Sequence, residues 1–153
     1  MEPIHCQAVT GLPDEPLRMQ IFDLYATVFG TARQAELSYK WSERMQGNSL
    51  TLLAKVAGEP AGFKAGYALD NEVFYSWLGG VQPEFRRAGI GQMLLDYQHQ
   101  WCREQGFRIV RTHTLNQWKN MLLLNLRNGF DIAGTFTDES GTFKIILEKN
   151  LTL

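Results

Sequence analysis

The segment Trp77-Leu78-Gly79-Gly80-Val81-Gln82-Pro83-Glu84-Phe85-Arg86-Arg87-Ala88-Gly89-Ile90-Gly91 holds the residues whose spacing most readily does chemistry. It reads as a strand, a break at Pro83, a loop with two glycines and the start of a helix. The first amides of a helix have no partner within it, and the helix dipole puts partial positive charge there. Such a terminus accepts anions. Gly89 and Gly91 carry no side chain, so a phosphate can approach the backbone closely, and Arg86 and Arg87 add full positive charge beside it. A pyrophosphate suits that arrangement. Two other phosphate loops are excluded: the Gly-x4-Gly-Lys-Ser/Thr loop does not occur, and Leu94 stands where a dinucleotide fingerprint needs its third glycine. Just upstream, Gly79-Gly80 inside a strand marks a bulge or a close backbone approach. An amide-bearing ligand could pair with backbone exposed there like an added strand.

The elements that must position this loop follow from periodicity and punctuation. Ile4 to Val9 reads as a first strand. Pro16 suits the first turn of a helix, with Asp14 or Glu15 available for its exposed amides. Leu17, Ile21, Leu24, Tyr25 and Val28 repeat on one face, and Gly30 ends that helix. A second helix is expected from Ala32 to Met45. Leu50 to Val56 and Ala61 to Leu69 flank Gly58-Glu59-Pro60 as a hairpin, and Val73 to Val81 forms an aromatic-rich strand. The helix after Gly89 carries Ile90, Met93, Leu94, Tyr97 and Trp101 as its apolar stripe and stops at Gly106. Ile109 to Thr114 reads as a strand, Trp118 to Asn128 as a helix, and Asp131 to Thr137 with Thr142 to Glu148 as a final hairpin. The order β-α-α-β-β-β-α-β-α-β-β implies an α/β (α+β) fold with a mixed sheet.

At 153 residues the chain is sized for one domain spanning 1–153. A net charge of -1 and a pI near 6.3 give no electrostatic reason to expect nucleic acid or an anionic membrane as a partner. No apolar run approaches the ~20 residues that cross a bilayer, and Met1 to Thr10 lacks the basic-then-apolar pattern of a secretory signal. Cys6, Cys102, His5, His99 and His113 show no zinc-ligand spacing, so no metal is expected. Two reduced thiols fit a cytoplasmic protein.

Arg86-Arg87-Ala88-Gly89-Ile90-Gly91 resembles the acetyl-CoA-binding motif of the GNAT superfamily of N-acetyltransferases, Arg/Gln-x-x-Gly-x-Gly/Ala. The strand ending in Val81-Gln82-Pro83, and the Asn-containing helix running from Asn116 to Gly129-Phe130, are similar to further parts of that pattern. The resemblance implies a GNAT-like central mixed sheet splayed at the coenzyme A site and flanked by helices, with acetyl-CoA as co-substrate. It implies that the amides of Arg87, Ala88, Gly89, Ile90, Gly91 and Gln92 hold the pyrophosphate with Arg86. Backbone of Gly79, Gly80 and Val81 would meet pantetheine, and Asn116 or Asn120 could reach its arm.

The chain departs from the family in two places. Many members carry a tyrosine, acting as general acid, where this chain has Asn125; asparagine cannot donate a proton in that sense, although its amide could hydrogen-bond to the sulfur. Histone-modifying relatives carry a glutamate where this chain has Tyr75, leaving Tyr75 or the nearby carboxylate of Glu72 as candidate base. His113 titrates in the useful range and is a candidate base or substrate contact. Tyr39 and Trp41 resemble the place where the superfamily forms its acceptor cleft, and Trp77 shares a strand face with Tyr75. The expected activity is acetyl transfer to an amine by direct attack in a ternary complex. A small-molecule amine is preferred over a protein amine. A non-catalytic acyl-CoA-binding sensor or partner module is the alternative. Dimers are common among similar proteins, and the final hairpin could give a homodimer its edge.

Overall fold

A computed structural model describes residues 3–32 and 34–152. Its elements are β1 (Ile4–Thr10), α1 (Glu15–Phe29), α2 (Gln34–Arg44), β2 (Ser49–Val56), β3 (Glu59–Ala68), β4 (Val73–Val81), a one-turn 3-10 helix (Pro83–Phe85), α3 (Ile90–Glu104), β5 (Ile109–Thr114), α4 (Lys119–Arg127), β6 (Asp131–Thr137) and β7 (Phe143–Asn150). The order is the expected one, with the 3-10 turn at Pro83 added. The expected start of the second helix includes Arg33, which lies outside the described residues.

The strands form a seven-stranded mixed sheet in the order β1-β2-β3-β4-β5-β7-β6, flanked by helices. β4 and β5 run parallel, whereas β1–β2, β2–β3, β5–β7 and β6–β7 are antiparallel. By contact density the chain divides into two compact units. One comprises the residues up to Tyr67 with Leu78–Gln98; the other comprises Ala68–Trp77 and the residues from His99 onward.

In the first unit, Asp14 caps α1 by accepting the Leu17 N–H at 3.0 Å, and Gly30 closes that helix at φ 87°. Leu17, Ile21 and Leu24 are its buried stripe. Six consecutive residues of β2, Ser49 to Ala54, are buried, so both faces of the strand are covered there. Gly62 of β3 is where α3 comes closest. A Cβ on Gly62 would stand 2.9 Å from Ile90 Cγ2, 3.3 Å from Leu94 Cδ1 and 3.2 Å from the Gly80 carbonyl oxygen. Gly80 meets a different helix: its Cβ would lie 3.2 Å from both Val28 Cγ1 of α1 and Phe63 Cε1, and 3.4 Å from Phe29. Both glycines exist so that backbone can approach a neighbouring helix.

In the second unit, Phe74 packs edge-on against Trp101 with centroids 5.5 Å apart and lies 5.4 Å from Phe107. Val110 of β5 and Leu147 of β7 are fully buried. Before β4, the Asp70 carboxylate accepts the Glu72 and Val73 N–H groups at 2.7 and 2.8 Å. These bonds hold its pKa below the usual carboxylate value.

The buried face of α3 differs from the expected stripe. It is Ile90, Leu94, Leu95, Gln98, His99 and Cys102, with Tyr97 40% exposed. The apolar residues at 93, 97 and 101 suggested a face rotated from this one, because two buried polar residues, Gln98 and His99, are invisible to a hydrophobicity pattern.

Gly62→Ala should therefore destabilise the protein by about 1–3 kcal/mol, the usual range for overpacking a filled core. Urea unfolding monitored by circular dichroism measures it, and an unchanged midpoint would show that α3 does not depend on that contact.

Candidate active site

The loop after β4 is fixed from both ends. Gln82 donates its backbone N–H to the Ala61 carbonyl at 2.8 Å and its side-chain Nε2 to the Pro60 carbonyl at 2.9 Å, tying the strand end to β3. Phe85 and Arg86 N–H groups donate to the Gln82 and Pro83 carbonyls, closing the 3-10 turn. Arg86 folds back, with Nε donating to the Val81 carbonyl at 3.2 Å. Two residues then take left-handed backbone, Arg87 at φ 69° and Gly89 at φ 81°. For a residue with a side chain that conformation costs about 1–2 kcal/mol, so Arg87 stores local strain where a ligand would bind.

The first bond of α3 runs from Met93 N–H to the Gly89 carbonyl at 3.0 Å. The N–H groups of Arg87, Ala88, Gly89, Ile90 and Gly91 have no hydrogen-bond partner among the described residues. Arg86, Arg87, Ala88 and Gly89 are exposed while Ile90 is buried, so the helix is anchored one residue inside its open amides. A Cβ on Gly89 would meet nothing within 4 Å. This donor set, with two guanidinium groups beside it, fits a diphosphate. Gln92 lies one residue further on, its Nε2 donating to Asp96 at 2.9 Å. Of the strand glycines, Gly80 is accounted for by packing. A Cβ on Gly79 would find only ordinary contacts, the nearest being Lys64 Nζ at 3.5 Å.

On the sheet, β4 pairs with β5 through Val73↔Ile109, Phe74↔Val110 and Tyr75↔Arg111. Beyond these no β4–β5 pair forms among the described residues. Thr112 Oγ1 donates to the Ser76 carbonyl at 2.8 Å where the ladder stops. Here the structure joins two candidates that the sequence offered separately: Tyr75 Oη lies 3.1 Å from His113 Nδ1, with ring centroids 5.0 Å apart. Both rings are half-buried, and Phe136 meets His113 edge-on at 5.0 Å. Burial, then the charges of Lys144 and Arg111, push the His113 pKa below its ordinary value. Its imidazole is therefore neutral at pH 7 and keeps one nitrogen lone pair.

Glu72 lies just before β4 and pairs with Arg108 at 2.9 Å on an exposed surface, while its carbonyl accepts the Arg108 and Ile109 N–H groups. Asn125 is the buried residue of α4, 3% exposed, although five apolar residues surround it in sequence. Its carbonyl accepts the Asn128 and Phe130 N–H groups at 3.1 Å. Asn116 and Asn120 are exposed and neither caps α4, whose N-cap position is Trp118 without a side-chain capping bond.

The profile of the Acetyltransferase (GNAT) family matches residues 18–124. The chain belongs to the GNAT acetyltransferase family. Acetyl-CoA-dependent acetyl transfer is the reaction that this membership supports. No curated protein matches. Among solved structures, a GNAT acetyltransferase from Elizabethkingia anophelis with acetyl-CoA bound is similar over 96% of this chain and 97% of its own, at 20% identity and a TM-score of 0.72. The ribosomal-protein-S18-alanine N-acetyltransferase of Escherichia coli is similar over 97% and 96%, at 14% identity and a TM-score of 0.77. An aminoglycoside 6'-acetyltransferase type Ii is similar over 95% and 97%, at 16% identity and a TM-score of 0.75. At these identities the likeness is one of fold.

In this GNAT protein the expected acceptor residues separate. Tyr39 on α2 is 74% exposed and Trp77 half-buried. Trp41 is wholly buried and packs edge-on against Phe22 at 5.5 Å. Trp41 is therefore corrected from cleft to core: no side-chain surface is left to meet a substrate. No helix among the described residues is long and apolar enough to cross a membrane.

The lowered His113 pKa makes stability depend on pH. The unfolded chain takes up a proton near pH 6.5 whereas the folded chain resists it, so His113's contribution is complete above about pH 6.5 and is lost as pH falls from there through the lower folded value. The urea midpoint of the wild type should drop more between pH 7.5 and pH 5 than that of His113→Gln. Parallel pH dependence in the two proteins would contradict this.

Proposed function

We propose that this GNAT protein transfers the acetyl group of acetyl-CoA to the primary amine of a small molecule, by direct attack in a ternary complex. The observation that carries this reading is the run of unpartnered N–H groups from Arg87 to Gly91 beside two exposed arginines. Bound acetyl-CoA supplies an activated thioester carbonyl. The chain's share is to hold it, orient it and manage protons. In this reading Arg86 and the amides of Arg87 to Gln92 grip the pyrophosphate. Backbone groups of Gly79, Gly80 and Val81 receive pantetheine, Asn116 and Asn120 reach its arm, and strand amides polarise the carbonyl. Asn125 donates a hydrogen bond to the departing sulfur; a coenzyme A thiol leaves readily, so a hydrogen bond suffices where a proton donor is absent.

The acceptor must first become a neutral amine. At pH 7, with a lysine-like pKa near 10.4, that costs about 4.6 kcal/mol. A positioned base removes the remaining proton as the nitrogen attacks. Tyr75 is the favoured residue, because the Glu72 carboxylate is already bonded to Arg108. Tyr39 and Trp77 supply aromatic surface for the acceptor. The named relatives act on an aminoglycoside and on a ribosomal-protein alanine, which are two amine classes, and the exposed polar surface of α2 around Tyr39, with Ser42 and Glu43, favours a hydrophilic small molecule.

Gly89→Leu should raise the coenzyme A dissociation constant at least about tenfold, a loss of about 1.4 kcal/mol, by filling the cradle while leaving the far-ultraviolet spectrum native. Calorimetric titration reads it, and unchanged affinity would remove the pyrophosphate from this loop. Thiol release with acetyl-CoA and a panel of amines tests the reaction. Tight binding without turnover across the panel would make the chain a binding module instead.

A further inference from the structure

Tyrosine alone is a poor base at neutral pH. Its phenol oxygen holds its own proton, with a pKa near 10, and can accept another only as that one leaves. Tyr75 has somewhere to send it: His113 Nδ1 stands 3.1 Å from its hydroxyl oxygen, within proton-transfer reach. We propose that His113 is the relay partner of Tyr75 in acetyl transfer, accepting the Tyr75 hydroxyl proton at Nδ1 as Tyr75 Oη takes the proton of the attacking amine. This rests on the amine-acetyltransferase reading above.

The step balances. The amine nitrogen bonds to the acyl carbon, the carbon–sulfur bond breaks, and its electron pair leaves on sulfur. One N–H bond of the amine gives way to an O–H bond on Tyr75, and the former O–H bond of Tyr75 gives way to an N–H bond on His113. The resulting imidazolium then gives its proton to water. No other reactant is needed.

The surroundings of His113 suit both halves of that cycle. Arg111 lies on its own strand, bonded to Glu148 of β7 at 2.6 Å. Lys144 of β7 is bonded to Asp138 at 3.2 Å. Tyr75 faces His113 from β4 and Phe136 from β6. The two cations and the partial burial disfavour imidazolium. The lone pair is therefore free to receive before the step, and the proton departs soon after it. The edge-on contact with Phe136 and the 5.0 Å spacing to Tyr75 fix the ring's position.

The test uses the full chain with acetyl-CoA and an amine that it accepts, comparing wild type with His113→Asn and the fold-sparing Tyr75→Phe. In the wild type, kcat should fall at acid pH with an ionisation below 6.5. His113→Asn should lower kcat about 100-fold, within the range for a lost proton-transfer group, abolish that acid limb, and leave coenzyme A affinity unchanged. Tyr75→Phe should reproduce the loss of kcat. Nitrogen-15 NMR reads the pair without any acceptor: wild-type His113 should carry its proton on Nε2, leaving Nδ1 to accept from the Tyr75 hydroxyl. A proton resident on Nδ1 in the wild type, or a His113→Asn protein with native kcat and an intact acid limb, overturns the relay alone. A chain that binds coenzyme A and acetylates no amine overturns the acetyl-transfer reading and the relay together.

Discussion

The start of α3 is the constraint on which the proposed cofactor site depends. A helix terminus can bind an anion only if its open amides are held in one place, and this terminus has little to hold it by: Arg86, Arg87, Ala88 and Gly89 are all in solvent. Ile90 does the holding. Its side chain is buried against a backbone position where Gly62 offers no Cβ, closer than any side chain would allow. From that anchor the chain reaches β4 through two left-handed residues and a 3-10 turn tied back to β3 by Gln82. Packing in the core thus sets where the amides stand, and the exposed residues only have to leave them uncovered. The strain at Arg87 belongs to the same design. An αR backbone there would turn the N–H groups into the ordinary first turn of a helix, with different directions.

The proposed proton chemistry depends on a separate piece of geometry, the strand order. β7 lies between β5 and β6, so β5 has β4 on one side and β7 on the other. From β4 comes the Tyr75 hydroxyl, and from β7 come Lys144 and the carboxylate of Glu148 that occupies Arg111. Arg111 and Lys144 each have an acidic partner, which lets two cations sit near a histidine without a large desolvation cost. Partial burial first, and these cations second, disfavour the imidazolium without taking the lone pair of the neutral ring. A histidine on an outer strand, open to water, would lose that control, because screening would reduce both effects.

How much of this was legible in the sequence follows from the range of each interaction. Element order, the Asp14 cap and the Gly89 turn were readable because they depend on residues within four positions of one another. The turn from the Pro83 break into α3 was readable for the same reason. What was not readable was any property fixed by pairing across the sheet. Tyr75 and His113 are 38 positions apart, and only the parallel β4–β5 register makes them neighbours. Trp41 reads from sequence as a cleft residue, since nothing local distinguishes a tryptophan that meets substrate from one that meets Phe22. Glu72 looked available until Arg108 was seen beside it. Gly62 carries no specific signal in the sequence, because a lone glycine in a strand points to close approach without saying what approaches. The paired Gly79-Gly80 did draw attention, yet half of that signal belongs to α1 packing against Gly80.

Asn125 shows how energetics can sharpen such a reading. α4 is Lys-Asn-Met-Leu-Leu-Leu-Asn-Leu-Arg, and its buried position goes to asparagine while Leu123 and Leu126 stand exposed. Rotating the helix by about a third of a turn would bury leucine instead, at a gain of about 1.5–3 kcal/mol for the side chain. Something outside helix propensity therefore fixes the rotation. Part of it is the C-terminal turn, where the Asn125 carbonyl takes both the Asn128 and Phe130 N–H groups and so locks the backbone at that residue. That accounts for the backbone and leaves the side chain unexplained: alanine or leucine would offer the same carbonyl. In the proposed reaction that side chain has a use that alanine or leucine would not have, a hydrogen bond to the departing sulfur.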